Sequence, residues 1–102
     1  MNLSIIIPVY NCDKWIISKI DELVKLLKEI RKSEIIFVDD YSNDNTVEVI
    51  TNYILNIENV KLIKLNLNQG KGAAVMRGLK ESNAEYRIFT DCDLAYPISE
   101  IR

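Results

Sequence analysis

Residues 3–9 read Leu-Ser-Ile-Ile-Ile-Pro-Val, and Tyr10-Asn11 follow directly. A continuous apolar run rich in β-branched residues is what a strand buried on both faces of a parallel sheet requires. This stretch is therefore expected to be the central strand. Beyond it, Ile16, Ile20, Leu23, Val24, Leu27 and Ile30 recur at intervals of three and four, with Lys19, Glu22, Lys25 and Lys28 between them. That spacing predicts an amphipathic helix capped by Asn11 or Asp13 and ending near Lys32.

The alternation continues to Thr90. Glu34 to Asp39 reads as a second strand, and Tyr41-Ser42-Asn43-Asp44-Asn45 as a turn made of helix-capping residues. A helix is expected from Thr46, carrying Val47, Ile50, Ile54 and Ile57 on its apolar side, followed by a third strand from Val60 to Leu65. Asn66 to Gly72 is a polar loop, Gly72 to Ser82 a short helix burying Ala74, Val75 and Leu79, and Tyr86 to Thr90 a fourth strand. Strands and helices in strict alternation predict an α/β fold of three layers, α/β/α, around a Rossmann-like, open, mainly parallel sheet of about four strands.

With 102 residues, 48% of them hydrophobic and 27% charged, the composition fits one soluble domain spanning residues 1–102. A formal charge of -2 from 13 basic and 15 acidic residues supplies no cationic surface for a nucleic-acid backbone. Neither Leu3 to Val9 nor Val60 to Leu67 approaches the roughly 20 apolar residues of a membrane span. The start lacks the basic and small-residue marks of a signal peptide, so a cytoplasmic address is expected. Cys12 and Cys92, with no histidine in the chain, suggest reduced thiols rather than a disulfide or zinc site.

In a parallel sheet the loops that follow the strands gather along one edge, where ligands bind. Four polar clusters obey that rule: Tyr10-Asn11, Asp39-Asp40, Asn68-Gln69-Gly70-Lys71-Gly72 and Asp91-Cys92-Asp93. Carboxylates at i and i+2 on a loop can share a divalent cation that in turn holds a diphosphate. Oxygen ligands without histidine favour Mg²⁺ or Mn²⁺. Alone, such a triplet reads more readily as a solvated turn, and its weight comes from its position in the series.

Other phosphate-handling folds fit less well. Leu65 and Gly72 stand where a P-loop needs its first glycine and its hydroxyl, and Pro8 to Cys12 has no glycine for a dinucleotide fingerprint. A receiver domain places its acidic pair after the first strand, whereas Asp39-Asp40 follows the second. A sugar-1-phosphate nucleotidyltransferase needs a glycine-rich loop with arginine after that first strand, and Tyr10-Asn11-Cys12 offers neither.

Taken in order, IIIPVYN, VDDYSNDNT, NQGKGAAVMRG and FTDCDLAYP resemble the N-terminal half of family 2 glycosyltransferases over nearly the whole chain. Within that family the segments look most like the dolichol-phosphate and polyprenyl-phosphate mannosyl- or glucosyltransferases. The resemblance implies a GT-A fold and inverting transfer of a hexose from a UDP- or GDP-sugar to an acceptor, here a polyprenyl phosphate. It implies that Pro8, Tyr10, Val38 and Asp39 line the base and ribose, that Asp40 belongs to the same nucleotide-sugar-binding set, and that Lys71 faces the phosphates. Asp91 and Asp93 would be the catalytic pair holding metal and diphosphate, with Cys92 contributing backbone. Cys12 departs from the Glu frequent in lipid-phosphate members, and Tyr41 from the Gly usual in the VDDGS turn, so that turn is expected to differ locally. The acceptor half would follow Arg102; without it the chain would be a nucleotide-sugar-binding module, peripheral at the membrane, with Tyr86 to Thr90 an open edge that favours a homo-oligomer.

Overall fold

The computed structural model describes residues 2–30 and 32–90. Alternation of buried side chains within β1 (Leu3–Val9) sends Ile5, Ile7 and Val9 to one face of the sheet and Ile6 to the other, and all four are buried. Strand β2 (Ser33–Asp39) lies parallel beside it, with Leu3 opposite Ser33 and Val9 opposite Asp39, and is buried throughout. Strands β3 (Val60–Lys64) and β4 (Tyr86–Phe89) complete a parallel sheet in the order β3-β2-β1-β4. The run read as a fully buried central strand, β1, thus lies in the interior of the sheet, with β2 beside it.

Helices cover both faces. On one face, α1 (Ile16–Leu27) and α2 (Thr46–Ile54) bring Ile16, Ile20, Leu23 and Ile50 against Ile5, Ile7, Ile35 and Phe37. On the other, α3 (Lys71–Glu81) packs Ala74 against Ile6, Ile36 and Val38. Gly78 permits that close approach: a Cβ there would sit 2.4 Å from Ile6 Cγ2 and 3.1 Å from Val38 Cγ2, far inside van der Waals contact. The architecture is the expected α/β/α sandwich.

Pro8 is accommodated inside the sheet for a local reason. Ile6 O accepts a hydrogen bond from Thr90 N at 3.1 Å, so the even-numbered residues of β1 direct their backbone groups toward β4. Pro8 is the next such position, beyond the Ile6–Phe89 pair that closes the described ladder, so its missing N–H removes no bond from the described pairs.

Several boundaries differ from expectation. Helix α1 begins at Ile16, with Trp15 as N-cap and no side-chain cap, because Asn11 and Asp13 hydrogen-bond across to the β2–α2 loop instead. It ends at Leu27, after which Lys28 to Ile30 form a turn and Lys32 takes a left-handed φ of 55° to enter β2. Leu79 is only partly buried, whereas Leu26 and Gly78 are buried. No helix among the described residues is long and apolar enough to cross a membrane.

The opposite edge of the sheet carries a buried polar chain. Ser4 Oγ donates to Glu34 Oε2 at 2.6 Å and lies 2.6 Å from Ser82 Oγ, which accepts from Ala84 N. Lys61 Nζ stands 3.6 Å from Glu34 Oε1. Since the single Ser4 proton goes to the carboxylate, Ser82 donates to Ser4. These bonds fasten β1, β2 and the end of α3 away from the loops described next.

Candidate functional site

Every strand points the same way, so the loops after β1, β2 and β3 emerge at one edge. The strand order reverses between β1 and β4: β2 and β3 lie on one side of β1, β4 on the other. Ligands in open α/β sheets bind at such a switch point, outside the carboxyl ends of the strands. Thr90, which follows β4 and is bonded to Ile6, is the last described residue at the same edge. Asp91, Cys92 and Asp93 follow it in sequence and lie outside the described residues.

The first two loops are locked together. Asn11 N donates to Ser42 Oγ at 2.9 Å, and Asn11 Oδ1 accepts from Asn43 N at 2.8 Å. Cys12 N donates to Thr46 Oγ1 at 2.8 Å, Asn45 N to Asp13 Oδ2 at 3.0 Å, and Asp13 N to Asp44 Oδ2 at 3.3 Å. Asp44 also accepts from the backbone and hydroxyl of Thr46 at the start of α2. Partial burial pushes the Asp44 carboxyl up, and the hydrogen bonds from Thr46 and Asp13 outweigh it, leaving the group below the usual carboxylate range. Acids near a helix N-terminus are favoured further by the backbone dipole.

The acidic pair after β2 is engaged in the same framework. Asp39 is 2% exposed, and its two carboxylate oxygens accept from Ser42 N and Ser42 Oγ. Asp40 is 6% exposed, and its oxygens accept from Gln69 N at 2.8 Å and Gly70 N at 3.0 Å. Asp40 therefore holds the turn that launches α3. Gly70 has a φ of 93°, open to glycine and unfavourable for residues with a Cβ, and Lys71 is the first helical residue after it.

The predicted ligand-lining residues separate on this geometry. Pro8 is buried in β1, and Val38 is 0% exposed against α3. Tyr10 is exposed at the end of β1, and Lys71 is exposed at the start of α3. Tyr41 adopts a φ of 64°, in the left-handed region that glycine favours and residues with a Cβ rarely enter. No cluster of three or more His, Cys, Asp or Glu side chains suited to a metal occurs among the described residues. Sequence reading missed the locking role of Asn11, Asp13, Ser42, Asp44 and Thr46, whose available signal was matching polar clusters after two neighbouring strands.

The edge thus offers a preformed rim of backbone and polar groups, a glycine-opened helix start and, next in sequence, two further carboxylates. The family model described as Glycosyl transferase family 2 matches residues 4–102. The dolichyl-phosphate beta-glucosyltransferase of Dictyostelium discoideum is 39% identical over 99 residues, covering 89% of this chain and 30% of that protein. The structure of S. aureus TarS 1-349 in complex with UDP is 33% identical with a TM-score of 0.80, covering 91% of this chain and 28% of that one. The Pyrobaculum calidifontis mannosyltransferase PcManGT, solved with GDP-Man and Mn2+, shares the fold at 24% identity with a TM-score of 0.84, covering 97% and 29%. The chain therefore spans under a third of the length of these relatives.

Proposed function

Because the chain belongs to glycosyl transferase family 2, we propose that residues 1–102 form the donor side of an enzyme that transfers a hexosyl group from a nucleoside diphosphate sugar. The observation that carries this reading is the convergence of the interlocked β1 and β2 loops and the Asp40-held Gly70 turn on one sheet edge, at the switch point between β1 and β4. A UDP- or GDP-sugar is the expected donor, since the similar proteins were solved with UDP and with GDP-Man. A polyprenyl phosphate is the expected acceptor, supported by the dolichyl-phosphate substrate in the name of the Dictyostelium relative.

In this proposal Asp91 and Asp93 are the catalytic pair, and with the Cys92 backbone they hold Mg²⁺ or Mn²⁺ and the diphosphate. Two carboxylates without histidine are hard donors suited to those cations. A bound cation would neutralise charge on the departing diphosphate. Tyr10 provides a face for the base, Asp39 and Asp40 hold the walls of the site with Pro8 and Val38 packed beneath, and Lys71 adds positive charge at the start of α3. A phosphate acceptor already carries an anionic oxygen, so direct attack with inversion needs no general base. The acceptor side would lie outside residues 1–102, and the reaction would take place on the cytoplasmic face of a membrane.

The test is release of UDP or GDP from UDP-glucose or GDP-mannose, with and without a polyprenyl phosphate. Acceptor-dependent release is expected of the full enzyme. Donor binding without release by residues 1–102 would restrict this segment to donor recognition, and absence of both would defeat the proposal. Self-association along β4, whose described pairing is with β1 alone and whose Tyr86 and Phe89 are exposed, belongs to the same proposal. Light scattering showing only monomer at high concentration would contradict it.

A further inference from the structure

We infer that Tyr41 is a donor-site residue of this chain, forming with Tyr10 an aromatic pair that grips the nucleoside base; the inference rests on the donor-binding reading above. Tyr10 and Tyr41 lie on neighbouring loops between the same two cross-loop bonds. Asp40 N donates to Val9 O at 3.0 Å on one side of them, and Asn11 N donates to Ser42 Oγ at 2.9 Å on the other. The residues between those two bonds are Tyr10 on the first loop and Tyr41 on the second.

Both rings are turned outward, Tyr10 at 44% and Tyr41 at 53% exposure. Neither hydroxyl hydrogen-bonds to any described residue. Tyr41 contributes little to the core, and its φ of 64° is a conformation that residues with a Cβ rarely adopt. A large aromatic side chain held in an unfavourable backbone conformation, without burial in return, calls for a role outside the fold.

The neighbouring acids leave that role to the rings. Asp39 and Asp40 are almost fully enclosed, and each of their carboxylate oxygens already accepts a hydrogen bond from the protein. Between the Asp40–Val9 and Asn11–Ser42 bonds, what the two loops present outward is therefore aromatic surface on a backbone frame fixed by cross-loop bonds. Such surface suits the flat face of a purine or pyrimidine, because every base has a π-face and stacking tolerates either kind. The larger purine offers more area to two rings, so loss of Tyr41 weakens GDP more than UDP.

The experiment is calorimetry of UDP and of GDP, with Mn²⁺, on the wild type, Tyr41→Phe and Tyr41→Asn. Asparagine tolerates the left-handed backbone but removes the ring, so a misfolded variant is not the expected confounder; thermal melting of each variant verifies this. Tyr41→Phe binds like the wild type, and Tyr41→Asn binds about tenfold more weakly, in line with the usual value of one aromatic–base stack. Tyr41→Asn binding within about twofold of the wild type overturns the role of Tyr41 and leaves the donor reading standing. A wild type that binds neither nucleotide overturns both.

Discussion

Replacing Asp40 by asparagine keeps the shape of the side chain and removes half of what it does. In the wild type its two oxygens accept separately from Gln69 N at 2.8 Å and Gly70 N at 3.0 Å, at a residue only 6% exposed. Asparagine retains one acceptor and turns an NH₂ donor toward the other backbone N–H. One bond is lost, the survivor no longer has a charged partner, and a partly buried N–H is left opposed by another donor. A hydrogen bond to a charged group contributes about 1.5–3 kcal/mol, so the variant is expected to lose about 2–3 kcal/mol. For a domain whose total stability is of order 5–15 kcal/mol, that is a large share. With an m value of about 1–2 kcal/mol/M, the urea midpoint falls by about 1–3 M. Amide exchange locates the loss: Gln69 and Gly70 should exchange about tenfold faster or more, relative to amides of β1. An unchanged midpoint together with unchanged protection at those two amides would refute a positioning role for Asp40. If nucleotide binding were abolished in that same stable variant, Asp40 would be a direct ligand contact instead.

Gly78→Ala and Gly72→Ala should act in opposite directions within one helix. The first drives a methyl into buried Ile6 and Val38 and costs about 1–3 kcal/mol from overpacking, partly offset by helix propensity; the second meets nothing within 4 Å and gains up to about 1 kcal/mol. Thermal melts of the pair that moved in the same direction would contradict the close approach of α3 to the sheet. Ser4→Ala leaves Glu34 and Ser82 without a shared partner and is expected to lose about 1–3 kcal/mol in urea unfolding; a loss below about 0.5 kcal/mol would mean that Lys61 and solvent suffice. The Asp44 carboxyl is lowered in the folded state, so its contribution is complete above the unfolded value of 3.8 and disappears as pH falls through the lower folded value. Asp44→Asn should therefore flatten the acid side of the stability–pH curve, and superimposable acid limbs would exclude that linkage.

The fold was legible wherever local pattern and tertiary role coincide. The apolar run of β1 pointed to a central strand, and the period of α1 named its buried positions Ile16, Ile20 and Leu23. What the pattern misassigned were residues whose partners lie some 30 positions away. Asn11 and Asp13 have the side chains of helix caps, yet they bind Asn43 and Asn45, because loops from adjacent parallel strands meet at the sheet edge. Gly78 looked like an ordinary helix residue until the sheet placed Ile6 beneath it.

The site was legible in outline for a related reason. A parallel sheet dictates that loops after strands converge, so the polar clusters after β1, β2 and β3 could be assigned to one edge from sequence. Which side chains face outward was not legible. Val38 and Pro8 carry family motifs but are enclosed, Asp40 is bound to the Gly70 turn, and Tyr41 stands exposed at a glycine-like angle. Strand register and cross-loop hydrogen bonds decide those matters, and neither is a property of a short motif.

Nucleotide affinity measured by calorimetry on the wild type and on Asp93→Ala, each with and without Mn²⁺ or Mg²⁺, bears most directly on the central claim. The account predicts that the wild type binds UDP or GDP more tightly with the cation and that Asp93→Ala loses this metal-dependent gain. Equal binding by the two proteins, in the presence and absence of metal, would contradict it.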